Sequence, residues 1–158
     1  MGGEREDDSG LIGIRPLGLA DISKVISITE ECPEAASWSK ESYEKLFGLD
    51  GFMGFVNEVA GRMNGFVVGR KVVDEGEILN LAVCKGDRRQ GKGQALTAAI
   101  LEQFHRRGVN KVFLEVRESN ATAIAFYEKQ GFAKTGMRPA YYREPEEAAA
   151  LMEKKLTG

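Results

Sequence analysis

The sequence is short of the residues that several large functional classes require. Two cysteines, Cys32 and Cys84, cannot build a disulfide framework or a four-ligand zinc site, and they make a reducing cytoplasm the default compartment. A single histidine, His105, removes most histidine-rich metal chemistry, and no resident metal is expected. Apolar runs are short and broken by Gly, Asn or charge, far below the roughly 20 residues that cross a bilayer. Residues 1–10 carry charge where a secretion signal needs an apolar stretch. An excess of positive charge is missing too. The net charge is −2, and setting aside residues 1–10, where Glu4, Glu6, Asp7 and Asp8 stand against Arg5, leaves the remainder at +1. Bulk nucleic-acid binding therefore has no support.

What is present suits one globular domain. Hydrophobic residues make up 42% of the 158 and charged residues 29%, and a chain of this size can hide about 70% of the surface it exposes when unfolded. Residues 1–10 read as a flexible acidic leader and 11–158 as a single domain without internal repeats.

Residues 11–15 alternate weakly and stop at Pro16, as a short first strand would. Asp21 is placed to cap a helix whose apolar positions include Ile22, Val25 and Ile26, and Ser39 or Ser42 opens a second helix ending near Gly48. Residues 52–59, 65–73 and 77–83 read as an antiparallel meander with connections at 60–64 and 74–76. Residues 93–107 then carry Leu96, Ile100 and Phe104 on one helical stripe, ending at Gly108. Residues 111–117 alternate as a strand, with Val112, Leu114 and Val116 on one side and Phe113, Glu115 and Arg117 on the other. Ser119 or Asn120 caps a further helix closed at Gly131, whose neighbour Phe132 is placed to fold back on Tyr127 or Phe126. Residues 146–156 have helical propensity, although an α/β domain would often close its sheet there.

One local feature stands out. Arg88, Arg89, Gln90, Gly91, Lys92 and Gly93 lie between a strand and a helix, and residues 85–93 carry a local charge of +3. Free N–H groups, the helix dipole and glycines that permit close approach together suit a pyrophosphate. The same residues also describe a glycine-rich turn with solvated charges. Two phosphate motifs match poorly: a P-loop reading puts Gly93 where Ser or Thr should hold magnesium, and a dinucleotide reading puts Leu96 where a third glycine belongs.

Arg88, Gly91 and Gly93 satisfy the acyl-CoA signature (Arg/Gln)-x-x-Gly-x-(Gly/Ala), directly after a strand. Asn80-Leu81-Ala82-Val83 precedes it. Leu114-Glu115-Val116-Arg117-Glu118-Ser119-Asn120 follows, and Ala123, Tyr127 and Gly131-Phe132 close the pattern. In these blocks the chain resembles the GNAT N-acetyltransferases, and within them the RimI-type ribosomal-protein-alanine N-acetyltransferases. The resemblance is close over residues 77–142 and one of pattern over 11–76. It implies a single α/β GNAT domain with a mixed, mostly antiparallel sheet, splayed central strands and helices on both faces. It implies acetyl-CoA as co-substrate, with Leu81, Ala82 and Val83 offering main-chain groups to the pantetheine arm and thioester. It also implies that Arg89, Gln90, Gly91, Lys92, Gly93 and Gln94 cradle the pyrophosphate, with Arg88 adding charge and Asn120 contacting the cofactor beside its arm. The acceptor it implies is a protein N-terminus, that of a small-subunit ribosomal protein beginning with alanine; a lysine, a small amine or a non-catalytic CoA-binding role are the alternatives. Two departures stand out: Lys85 replaces a usual proline, and Ser37-Trp38 replaces a Pro-Trp pair near the acceptor.

The resemblance places a general base at Glu115. At pH 7, deprotonating an α-amine costs about 1 kcal/mol and a lysine about 4.6 kcal/mol, so a carboxylate suffices for the former. Without the resemblance, chemistry favours Glu115 as a surface strand glutamate paired with Arg117 or a neighbouring lysine. Tyr127 could protonate the departing thiolate, or serve as core packing beneath Phe132, or both. Trp38, Tyr141 and Tyr142 are candidates to line the acceptor groove. Cys84 has no histidine near it in sequence to support a nucleophile's role.

Overall fold

A computed structural model of the protein describes residues 13–32, 35–84, 86, 91–143 and 146–156. The chain opens with β1 (Ile14–Pro16), a short 3-10 turn (Leu19–Asp21), α1 (Ile22–Glu30) and α2 (Lys40–Phe47). The meander follows as β2 (Phe52–Val59), β3 (Arg62–Val72) and β4 (Glu75–Val83), and then α3 (Lys92–Arg106), β5 (Lys111–Arg117) and α4 (Ala121–Lys129). A final hairpin consists of β6 (Ala133–Arg143) and β7 (Glu146–Lys155). These strands form one seven-stranded sheet ordered β1-β2-β3-β4-β5-β7-β6, antiparallel except where β4 meets β5. The mixed α/β architecture is the one expected from the sequence.

Both faces of the sheet are covered. Under α3 and α4 lies a core in which Leu96, Ile100 and Phe104 meet Val67, Val112, Leu114 and Met152; under α1 and α2 lies a second, in which Ile22, Val25 and Tyr43 meet Phe66 and Val68. Because successive strand residues point to opposite faces, consecutive β3 residues serve both cores, and all three of Phe66, Val67 and Val68 are fully buried.

Several boundaries differ from those the sequence suggests. The meander turns are two residues long, at 60–61 and 73–74, because Ala60 and Gly61 both take positive φ and give the twist that a tight hairpin needs. Met63 and Asn64, expected in the connection, therefore belong to β3, with a bulge opposite Asn57 and Glu58 taking up the extra residue. Asp21 does not cap α1 with its side chain. Its carboxylate pairs with Arg15 at 2.9 Å and accepts the Gly18 N–H at 2.7 Å, while Ser39 does cap α2, accepting the Ser42 N–H. Residues 146–155 are a strand, not the helix their propensity favours. β7 is paired along its length with β5 on one side and β6 on the other, and Ala149, Ala150 and Met152 are fully buried there. That pairing outweighs an intrinsic preference worth only tenths of a kcal/mol per residue.

The C-terminal end of α4 follows the expected pattern. Gly131 takes φ +98°, its N–H reaches Glu128 O and the Phe132 N–H reaches Tyr127 O, which is a Schellman motif; the Phe132 and Tyr127 rings meet edge to face at 5.6 Å. The leader (residues 1–10), Lys85, Arg88, Arg89 and Gln90 lie outside the described residues.

Candidate active site

The sheet divides at its centre. β4 and β5 pair only through Glu75 with Lys111, Gly76 with Val112 and Glu77 with Phe113. Beyond that point β4 continues to Val83 beside β3 alone, and β5 continues to Arg117 beside β7 alone. The cause is local: between Ile78 and Asn80 the register against β3 jumps, so Leu79 is an extra residue that bends and twists β4 away from its neighbour. Asn80, 7% exposed, holds the diverging strand. Its Nδ2 donates to Ala36 O at 2.9 Å and its Oδ1 accepts from Ala36 N and Leu81 N, tying β4 to the α1–α2 connection. Its Nδ2 also approaches the Tyr43 hydroxyl at 3.4 Å.

On the α3/α4 face, three segments converge at this fork. A Cβ built on Gly93 would lie 3.4 Å from the Phe126 ring and 3.8 Å from Val83, so the end of β4, the start of α3 and the middle of α4 meet there. Gly91 precedes α3 at φ +77°, a conformation that favours glycine, and its position offers no side-chain cap to the first turn of this fifteen-residue helix. Lys92, Gly93 and Gln94 occupy that first turn, and Leu81, Ala82 and Val83 lie on the part of β4 that β5 does not cover. Asn120 caps α4, accepting the Ala123 N–H at 3.1 Å, so it has a structural task where it stands. Tyr127 is 8% exposed, packed on Phe126 and Phe132, and burial alone pushes its phenol well above its ordinary range. It remains a proton donor across any working pH.

On the opposite face the fork is lined with charge. Glu115 projects from β5, its side chain 11% exposed, and its Oε2 lies 3.1 Å from Nη1 of Arg138 on β6. Tyr141 donates its hydroxyl to Glu115, and Arg138 also stacks over the Tyr141 ring at 4.9 Å. The partner suggested by sequence, Arg117, is engaged elsewhere. It pairs with Glu147 at 3.2 Å and lies over the Tyr142 ring at 4.3 Å. Hydrogen bonds from Ser119 hold Glu147 below its usual carboxylate range, and burial, with Tyr141 next, pushes Tyr142 up to about 12. Trp38 instead packs on Tyr43 at 5.2 Å.

Glu115 and Tyr127 therefore belong to opposite faces of a sheet that parts between β4 and β5. Arg138 was not singled out from the sequence. The only signal for Arg138 was its place in an unassigned stretch just before Tyr141 and Tyr142.

A sheet split between two central strands, with a glycine-started helix on one side of the split and a carboxylate on the other, defines an acyl-CoA-dependent N-acetyltransferase. Residues 22–132 match the Acetyltransferase (GNAT) family, and the chain belongs to it. It is 36% identical over 113 residues to the [ribosomal protein bS18]-alanine N-acetyltransferase of Escherichia coli K12, covering 72% of this chain and 76% of the relative. Among solved structures, the ribosomal-protein-S18-alanine N-acetyltransferase of Escherichia coli superposes with a TM-score of 0.80 at 31% identity, covering 92% of this chain and 95% of that one. Ard1 of Thermoplasma volcanium superposes at 0.81 and 33% identity, covering 92% and 97%. Members of the family use acetyl-CoA as co-substrate.

Proposed function

We propose that this protein transfers the acetyl group of acetyl-CoA to the α-amino group of a protein N-terminus in the cytoplasm, specifically that of a small-subunit ribosomal protein beginning with alanine. The observation that carries the reading is the fork itself, with Glu115 held at its rim by Arg138 and Tyr141 on the face away from α3 and α4. The names of the Escherichia coli relatives support the acceptor.

The cofactor enters from the α3/α4 face. Its pyrophosphate rests on the N–H groups at Gly91, Lys92, Gly93 and Gln94, with Arg88, Arg89 and Gln90 adding charge and backbone contacts. The pantetheine arm lies along Leu81, Ala82 and Val83 with Asn120 beside it, and adds the strand that β5 does not supply there. The acceptor N-terminus approaches from the other face, where Tyr141 and Tyr142 bound the groove and Trp38 stands behind Tyr43. Glu115 serves as base for the attacking nitrogen. The nitrogen lone pair adds to the thioester carbonyl, the tetrahedral intermediate collapses, the C–S bond breaks and the thiolate receives its proton from the Tyr127 phenol. No covalent enzyme intermediate is needed, so neither cysteine is asked to carry the acetyl group.

The test is a competition between an alanine-started peptide and the same peptide with its N-terminus blocked and a lysine offered. Acetylation of the free N-terminus should be faster by at least 10-fold, because the lysine costs about 3.6 kcal/mol more to deprotonate at neutral pH. Among free N-termini, Ala and Ser should exceed Val and Leu by a graded margin, since one methylene in a tight pocket is worth about 1 to 3 kcal/mol. Faster labelling of the lysine would reassign the acceptor.

A further inference from the structure

The reaction just described asks nothing of the two cysteines, yet the fold brings them to one place. Cys32 is buried just past the end of α1 and directs its thiol at the main-chain oxygen of Val83, 3.6 Å away. Cys84 follows Val83 and is half-buried. Ala82 belongs to the core beneath α1 and α2, and strand alternation puts the Cys84 side chain on that same face, where both cysteines pack into one cluster. Cys84 also continues the pairing of β4 with β3 past Val83: its N–H donates to Asn64 O at 2.8 Å, and its thiol lies 4.0 Å from Met63 O. Neither cysteine is in a disulfide.

Resting on the reading that Leu81, Ala82 and Val83 receive the pantetheine arm, we propose that Cys32 and Cys84 form an oxidation-sensitive pair, which a small-molecule disulfide converts into an internal disulfide that fastens the end of α1 to the end of β4 and weakens acetyl-CoA binding. Cys84, the more exposed thiol, is the point of entry. Its thiolate attacks one sulfur of the small disulfide, that S–S bond breaks, and the small thiol that leaves takes up the proton Cys84 gave up. The Cys32 thiolate then attacks the Cys84 sulfur of the mixed disulfide, and a second small thiol leaves with the Cys32 proton. The balance is protein dithiol plus small disulfide giving protein disulfide plus two small thiols; the protein loses two electrons and two protons, and the small disulfide gains them. Excess thiol in a reducing compartment reverses the exchange, so the bond is transient there, as in redox-sensing proteins.

Three observations connect this bond to the cofactor. Oxidation removes the proton that the Cys32 thiol donates to Val83 O, so a carbonyl on the stretch of β4 that β5 leaves uncovered loses a hydrogen bond that helps to fix it. A disulfide also fixes its two Cα atoms about 5.5 to 6 Å apart, within narrow limits. Because α1 packs on the face of the sheet opposite α3, any adjustment that draws the end of β4 toward α1 draws it off the face from which the cofactor enters. Finally, the connection after Cys32 is already tied to β4 where Asn80 Nδ2 donates to Ala36 O at 2.9 Å. The segment is therefore held on both sides, and the strand end must give.

The experiment treats the full-length protein with oxidised glutathione and reads its intact mass, its peptides after digestion without reductant, and its acetyl-CoA affinity by calorimetry before and after. The expected result is a mass lower by two hydrogens, a linked peptide pair containing Cys32 and Cys84, and acetyl-CoA binding weakened by about 5-fold or more and restored by dithiothreitol. Cys32→Ala should stop at a glutathione adduct on Cys84, and Cys84→Ala should take neither adduct nor bridge. A parent that stays unmodified, one that keeps glutathione on Cys84, or one that forms the bridge with unchanged acetyl-CoA affinity overturns the proposal. Should Cys84→Ala fail to fold, Cys84→Ser replaces it, and the peptide map of the parent decides the linkage without any variant. Equal acetyl-CoA affinity in the reduced and oxidised parent refutes only this inference, whereas a reduced parent that does not bind acetyl-CoA removes the wider reading with it.

Discussion

The two sides of β5 are built to opposite rules. Val112, Leu114 and Val116 are 8% exposed or less and lie in the apolar core, while Phe113, Glu115 and Arg117 on the other side are partly open, the two charged ones held by ion pairs and tyrosine rings. One strand thus gives one set of side chains to the core and the set between them to the candidate site. The difference teaches that damage to either side should be separable: the apolar face should register in unfolding experiments, the charged face in kinetics.

The largest expected effect breaks the apolar side. Phe104 is fully buried at the centre of the α3 core, and Phe104→Ala should cost about 3 to 5 kcal/mol in denaturant unfolding, with the protein that remains folded still active. The charged side gives the converse. Glu115→Gln should lower turnover roughly 10²-fold or more with little change in midpoint, because its pair with Arg138, 55% exposed, contributes little stability. Tyr127→Phe tests where the division fails. The ring stays in the core, so stability should move by about 1 kcal/mol or less while turnover falls, roughly 10-fold to 10²-fold in single-turnover assays.

Two smaller effects lie away from the fork. Arg15 and the Gly18 N–H hold Asp21 below the usual carboxylate range. A carboxyl lowered on folding contributes stability above its unfolded pKa of about 3.9 and loses it as pH falls through the folded value. Asp21→Asn should therefore cost about 1 kcal/mol at pH 7, a difference from the parent that fades in strongly acidic buffer, as thermal unfolding across pH would show. Val73, 81% exposed, takes φ +58°, which a β-branched residue resists. Val73→Gly should raise the melting temperature by about 2 to 4 °C, equivalent to about 1 kcal/mol.

The legible parts of the chain were those in which local rules and tertiary packing agree. β5 was found to the residue because its alternation reports a strand with unlike faces, and the end of α4 because Gly131 and Phe132 encode their own geometry. The acyl-CoA signature located the helix start but not what faces it. The last strand stayed open between strand and helix for a physical reason: Glu146–Lys155 is rich in Ala, Glu and Lys, and only its place between two strands makes it extended. With β6 unassigned, Arg138 had no address, and Tyr141 and Tyr142 stood only as aromatic residues near the groove.

The position of β7 has a consequence for the order in which the molecule is made. β5, α4 and β6 form a crossover with a vacant lane between the two strands, and β7, synthesised after both, fills it. Without that segment β5 would present an open edge from Lys111 to Arg117 and β6 would have no strand to pair with, removing the support that brings Arg138 and Tyr141 to Glu115. A nascent chain stalled before Glu146 would hold the acyl-CoA signature, the split strands and both proposed catalytic side chains, yet lack the brace that aims one of them. The placing of Arg138 and Tyr141 beside Glu115 thus depends on a stretch that bears none of the proposed chemistry.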